Sequence, residues 1–191
     1  MIATDRVYGD LVDALEPAVA SLRVGDPAQG EVDMGPVVSA RQQARVAGFL
    51  ERATSAGAEV RGAGRFDSDG FFSSPVIVTG VAQDAEIVQN EVFGPVVTVQ
   101  RADSDAQALA WANDVRYGLG ASVWTRDIAR AMRFTRDLDF GAVWVNEHGH
   151  TITEMPHGGR RDSGHGSDLS VFSLEELTTL KHVMVNLDED A

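Results

Sequence analysis

Apolar residues recur at helical spacing from the start of the chain. Leu11, Val12, Leu15, Val19 and Leu22 share one face of a helix predicted over residues 10–22. Pro17 lies inside that pattern, and a proline has no N–H for the helix interior, so a kink or restart is expected there. Residues 24–36, with Val24-Gly-Asp-Pro27 and two further glycines, read as loop. Ser39 followed by Gln42 is a capping-box pattern that opens a helix through Val46, Phe49, Leu50 and Ala53, with Gly57 just past its end. Ala58 to Val60 is a short strand, Gly62 to Gly70 a polar glycine-rich loop, and Val76 to Thr79 a strand with Pro75 at its start.

The second half is more regular. Val96 to Val99 is apolar and β-branched and reads as a buried strand. A helix follows from Ser104, again with Gln at the third position, Gln107. Gly118 to Gly120 turns the chain into a strand at Ala121 to Trp124. Asp127 caps a helix whose buried face is marked by Ile128, Ala131, Met132, Thr135 and Leu138. Ala142 to Val145 is the next strand. Alternating strands and helices imply right-handed crossovers and an α/β fold with a largely parallel sheet.

From Asn146 to Asp168 the periodicity disappears, and a structureless run of that length in a compact domain is commonly functional. Ser173 to Glu176 is a capping box for a short helix with Leu174, Leu177 and Leu180 inward. His182 to Val185 is a strand near the chain end, whose edge a partner subunit can pair, followed by an acidic tail, Asp188 to Asp190.

Composition narrows the chemistry. The length of 191 residues suits one domain. A net charge of −13 repels nucleic acid and anionic membrane. Arg130, Arg133 and Arg136, and the adjacent Arg160 and Arg161, then read as solvated faces. No apolar run approaches the roughly 20 residues of a membrane helix, and the first residues lack the zones of a signal peptide, so the expected location is the cytoplasm. The chain has no cysteine, which removes disulfides, zinc–thiolate sites and any thiol nucleophile from these residues.

Two stretches carry candidate chemistry. Glu91, Phe93, Gly94 and Pro95 put a carboxylate and a ring beside a backbone corner at a strand start, where glycine can take a positive φ. This is either a ligand wall or a packed strand lead-in with a solvated Glu. The run from Asn146 to Gly166 holds His148, His150, His157 and His165 with Glu147 and Glu154. A metal site is weakly supported, because no His-x-x-x-His pair falls on a helix and a glycine-rich loop preorganises ligands poorly. A substrate loop using Glu154 and His157, and a merely solvated surface loop, both remain open. No P-loop, Gly-x-Gly-x-x-Gly or Gly-x-Ser-x-Gly motif is visible.

Together the motifs resemble a known family. Asn90-Glu-Val-Phe-Gly-Pro-Val-Val97, Tyr117-Gly-Leu-Gly-Ala-Ser-Val-Trp-Thr-Arg-Asp127 and Gly141-Ala-Val-Trp-Val-Asn146 are similar to successive signatures of the NAD(P)-dependent aldehyde dehydrogenase superfamily. Val24-Gly-Asp-Pro27, Gly35-Pro36, Gly158-Gly159 and Ser163-Gly164 follow the family's order. The resemblance extends from Ile2 to about Leu187. Glu154-Met-Pro-His-Gly-Gly159 and Lys181-His-Val-Met184 most resemble the aminoaldehyde branch, with its γ-aminobutyraldehyde (1-pyrroline) dehydrogenases and betaine-aldehyde relatives.

The resemblance implies an open α/β sheet from the C-terminal part of the catalytic domain over residues 1–180. It also implies an oligomerisation strand over 181–187, and residues 188–191 are left as the acidic tail. It implies that Glu91 hydrogen-bonds the nicotinamide-ribose hydroxyls of NAD, with NADP not excluded, that Phe93 packs near the nicotinamide, and that Glu154 and His157 line the aldehyde entrance. The implied reaction oxidises a small ω-amino aldehyde such as 4-aminobutanal to the carboxylate. The family's nucleophilic Cys would fall a few residues before Met1, and its general-base Glu and phosphate-binding segment earlier still. The expectation is therefore a partial enzyme with no catalytic residue of its own, inactive alone and completed by an N-terminal half. Its partners are then that half, a sister subunit through the C-terminal strand, and the aldehyde. The alternative is a non-catalytic binding or assembly module derived from the family.

Overall fold

The protein is seen in a computed structural model that describes residues 1–62 and 70–188. Most of the expected glycine-rich loop, and Glu189 and Asp190 of the acidic tail, lie outside the described residues. The chain divides into two compact units, Met1–Asp114 and Val115–Ala191, where its length had suggested one domain.

In the first unit the elements run β1 (Ile2–Thr4), α1 (Asp5–Ala20), α2 (Ala40–Ser55), β2 (Glu59–Gly62), β3 (Val76–Thr79), α3 (Glu86–Gln89), β4 (Val96–Thr98), β5 (Gln100–Ala102) and α4 (Asp105–Asn113). Strands β2, β3 and β4 form one sheet in that order, with β2 antiparallel and β4 parallel to β3. Strand β3 is buried at every position because both its faces are covered. Val76 and Val78 pack with Val46, Phe49 and Ala53 of α2, together with Ile87 and Val92. Ile77 points the other way, to Val12 of α1 and Val99.

Three expectations change here. Helix α1 begins five residues earlier than the apolar pattern marks, since Asp5 to Gly9 carry too little periodicity to be seen. It also runs through Pro17 without restarting. Pro17 sits in the last turn, where its own carbonyl still accepts from the Ser21 N–H at 3.0 Å. The strand expected over Val96 to Val99 is not buried throughout. Strand β4 is the open edge of its sheet, Val97 is 37% exposed, and beyond Val99 the chain switches as β5 to a parallel pairing with β1. Strand β1, three residues long, is too short for a period to reveal.

The loop between α1 and α2 is closed by a forked ion pair. Arg23 donates through Nε and a terminal nitrogen to the Asp33 carboxylate at 3.0 and 2.9 Å, and this holds the Asp33 carboxyl at about 2. A depressed carboxyl contributes stability above its ordinary range and loses it as pH falls through its folded value. The Asp33 side-chain carboxyl carbon is therefore expected to titrate by NMR with a midpoint near 2. A midpoint in the ordinary carboxylate range would show the loop open in solution.

In the second unit, β6 (Gly120–Val123) and β7 (Ala142–Val145) pair in parallel through the crossover helix α5 (Ile128–Asp137), and α6 (Ser170–Glu176) follows the long loop. The Asp127 carboxylate accepts from the Ala129 and Arg130 N–H groups, as a cap should. Ala131 and Leu138 are buried, but Ile128 and Met132, expected inward, are 74% and 62% exposed. A two-stranded sheet covers only part of that helix's apolar stripe. The expected capping box at Ser173 is absent. Ser173 lies inside α6 and donates to the Ser170 carbonyl, while Glu176 accepts from the Ser167 N–H at 3.0 Å. Leu174, Leu177 and Leu180 face outward. Residues 181–188 run exposed and form no strand, and among the described residues no sheet edge pairs the segment His182 to Val185. The fold is α/β. No helix among the described residues is long and apolar enough to cross a membrane.

Candidate functional site

Between α3 and β4 the chain makes a corner at Asn90 to Pro95, beside an open cleft of about 300 Å³ lined by Glu91, Phe93, Gly94 and Thr98 among others. Val92 turns into the core. Glu91 and Phe93 on either side of it stay outside, with the Phe93 ring 70% exposed. The Glu91 carboxylate has no hydrogen bond or ion pair within the described residues.

The corner is strained where the sequence did not place the strain. Gly94 was expected to supply the positive φ, but Phe93 supplies it, at 56°, and a bulky residue held there costs about 1–3 kcal/mol. Gly94 is needed for room, because a Cβ on it would overlap Val46 of α2.

Helix α2 holds the corner in place. Arg45 donates to the Glu91 carbonyl at 2.8 Å, and Gln42 Nε2 donates to the carbonyls of Val92 at 3.0 Å and Phe93 at 2.8 Å. Three successive carbonyls are thus satisfied from one helix, which leaves the side chains of 91 and 93 free for the cleft. Arg45 also lies over the Phe49 ring, 4.9 Å from its centroid. Gln42 and Arg45 were not among the sequence-derived site residues, and the only signal at Gln42 was a motif that pointed to a local cap.

The histidine-bearing loop separates into parts with different tasks. Asn146 closes β7 against Thr125 with a pair of hydrogen bonds at 2.8 and 2.9 Å. Trp144 Nε1 donates to the His150 carbonyl at 2.7 Å, and its ring meets the edge of His148. His157 and Asp168 exchange backbone hydrogen bonds at 2.8 Å each way and border a second cleft of about 390 Å³ with Ser163, His165 and Glu176. Glu154, expected beside His157, does not line that cleft. It is exposed, and its carboxylate accepts from the Thr153 hydroxyl at 3.1 Å. Among the described residues, no three or more His, Asp or Glu side chains gather as metal ligands.

Of the adjacent arginines, Arg160 stays exposed as expected, whereas Arg161 is half-buried. Arg161 donates to the carbonyls of Tyr117 at 2.7 Å and Asp139 at 2.9 Å and lies over the Phe140 ring. Arg160 pairs with the Asp139 carboxylate at 2.8 Å, holding that carboxyl below its usual range. Both side chains tie the segment after Gly158–Gly159 to Asp139 ahead of β7, and Arg161 also ties it to Tyr117 ahead of β6.

Known proteins resemble this chain along nearly its whole length. The profile of the Aldehyde dehydrogenase family matches residues 1–183. A succinate-semialdehyde dehydrogenase [NADP(+)] from Mycobacterium tuberculosis is 37% identical over 94% of the chain and 39% of its own length. A betaine aldehyde dehydrogenase from Bacillus subtilis is 34% identical over 97% of the chain and again 39% of its own length. Among solved structures, the NAD+ complex of an aldehyde dehydrogenase from Bacillus cereus superposes with a TM-score of 0.93, at 36% identity over 98% of this chain and 38% of that one. A Staphylococcus aureus betaine aldehyde dehydrogenase in complex with NAD+ gives 0.86, at 33% identity over 92% and 36%. The chain therefore spans about two-fifths of the length of the curated relatives it matches. With the ordered motifs, the α/β fold and a match over residues 1–183, the chain belongs to the aldehyde dehydrogenase family.

Proposed function

We propose that this chain forms the nicotinamide-ribose side of the cofactor site in an NAD(P)-dependent aldehyde dehydrogenase that oxidises a small ω-amino aldehyde, such as 4-aminobutanal, to its carboxylate. The observation that carries the cofactor assignment is the unpartnered Glu91 carboxylate beside the exposed Phe93 ring, on a strained corner clamped from behind. That pair of groups fits a nicotinamide nucleoside. A carboxylate accepts from two neighbouring hydroxyls, and a ring supports a flat heterocycle. When bound, the cofactor accepts the hydride. Glu91 and Phe93 orient its reactive end, and His157 with the Glu154 loop borders the path of the aldehyde.

The amino-aldehyde reading rests on the likeness of Glu154-Met-Pro-His-Gly-Gly159 and Lys181-His-Val-Met184 to the aminoaldehyde branch, and the relatives include a betaine aldehyde dehydrogenase beside a succinate-semialdehyde dehydrogenase. The reaction also needs a thiol nucleophile, and these 191 residues contain no cysteine. The active cytoplasmic enzyme is then this chain completed by a cysteine-bearing N-terminal segment, with residues 181–187 added as a strand to a sister subunit's sheet.

The test is NADH formation by the completed enzyme with 4-aminobutanal, betaine aldehyde and succinate semialdehyde. The expected order places 4-aminobutanal first in kcat/KM, with no turnover by the chain alone. A preference for succinate semialdehyde would overturn the amino-aldehyde reading. A second reading, a non-catalytic assembly module, draws on the exposed Val183, Met184, Val185 and Leu187. Co-elution with a full-length family enzyme, without any gain of turnover on completion, would establish it instead.

A further inference from the structure

Two Ser-x-x-Gln motifs open helices in this chain, and their glutamines do different things. At α4, Ser104 accepts from the Gln107 N–H at 3.1 Å, and the Gln107 side chain reaches back to the Asp103 N–H at 2.6 Å. That is close to the reciprocal pattern the motif predicts. At α2, Ser39 accepts from the Gln42 N–H at 3.2 Å, but the Gln42 side chain leaves its own helix end. It donates instead to the carbonyls of Val92 and Phe93, 50 and 51 positions along the chain.

The chemistry of that contact is restrictive. Backbone carbonyls only accept, so the amide nitrogen must face them, and its two hydrogens serve one oxygen each. The Val92 carbonyl belongs to the peptide before Phe93 and the Phe93 carbonyl to the peptide after it. The torsions of Phe93 set the angle between those two peptides, so tying both oxygens to one nitrogen fixes those torsions. The residue so fixed is the one with φ at 56°. Its ring and the neighbouring Glu91 carboxylate border the cleft.

We propose that Gln42 is a positioning residue for the cofactor. Its amide holds the left-handed backbone of Phe93, and thereby the direction of the Phe93 ring beside the Glu91 carboxylate. The proposal rests on the reading of that pair as the nicotinamide-ribose contact. Glutamate at 42 sets an acceptor against two acceptors, and methionine fills the same length with no donor. Lysine restores donors.

In the completed enzyme, Gln42→Glu and Gln42→Met are expected to raise the Kd for NADH, followed by its fluorescence, by about tenfold, the size of a lost hydrogen-bond pair. KM for the aldehyde should stay within a factor of about two, and Gln42→Lys should recover most of the NADH affinity. Ser39→Ala is the structural control. It removes the cap of the same helix and should lower the melting temperature while leaving the NADH Kd unchanged. Unchanged NADH affinity in both Gln42 variants, or an equal loss in Ser39→Ala, would overturn the proposal. If Glu91→Gln weakens NADH while the Gln42 variants do not, the positioning role fails and the cofactor reading survives. If Glu91→Gln leaves NADH binding intact, the cofactor reading fails and the positioning role with it.

Discussion

Replacing Gly141 by alanine is expected to unfold the Val115–Ala191 unit at temperatures where the parent is folded. Gly141 stands at the start of β7, where its N–H donates to the Gly118 carbonyl at 3.0 Å, and the same carbonyl accepts from the Arg160 N–H at 3.0 Å. The backbone of the Gly158 segment passes so close that a Cβ on Gly141 would overlap the Gly158 carbonyl and meet the Leu119 carbonyl at 3.2 Å. Both obstacles are main chain, so no rotamer change relieves them. The Gly158 segment cannot retreat without breaking the Arg161 bonds to Tyr117 and Asp139. A clash of this kind belongs among the rare substitutions costing about 4 kcal/mol or more. In a unit of this size that corresponds to a fall in melting temperature of about 15 °C or more. A fall of only a few degrees would show that the loop carrying His157 is looser than its contacts indicate.

The second large effect is at Glu91. Gln keeps the size of the side chain but replaces one carboxylate oxygen by a donor, so only one ribose hydroxyl can still be accepted, and without charge assistance. Glu91→Gln in the completed enzyme should lower kcat/KM for the cofactor by about 10- to 100-fold while KM for the aldehyde changes little. No stability change is expected, because among the described residues the Glu91 carboxylate has no hydrogen bond or ion pair that holds the corner. The Glu91 backbone does that, through its carbonyl and Arg45. Equal losses for cofactor and aldehyde would point to a distorted corner and away from a lost contact.

How much of this the sequence showed depends on the range of the interactions involved. The caps at Ser39, Ser104 and Asp127 are local events, and all three are present. The alternation of strands and helices made the α/β class legible, and ordered motifs made the family so. What failed was whatever depends on distant packing. Ile128 and Met132 fit a buried helical face by spacing, but spacing cannot say how wide a sheet stands opposite. Ser173 and Glu176 have the spacing of a capping box, yet α6 begins three residues earlier and uses them otherwise. At the corner the residue types were right and their roles were exchanged. Gly94 was given the unusual torsion because glycine tolerates it, whereas the core residue Val46 claims Gly94 for space and Phe93 takes the torsion. Arg161 reads as surface beside the exposed Arg160 because nothing in its neighbourhood announces the Tyr117 and Asp139 carbonyls. The clamp from Gln42 reaches across 50 positions, and its motif has a sufficient local explanation.

The central claim, that Glu91 receives the ribose hydroxyls on the nicotinamide side of the cofactor, is tested most directly by a double-substitution cycle. NAD and an analogue lacking those hydroxyls are titrated against the completed enzyme with Glu91 and with Glu91→Gln. The parent is expected to bind the analogue at least about tenfold more weakly than NAD, and Glu91→Gln to barely distinguish the two. Undiminished discrimination by Glu91→Gln would contradict that claim.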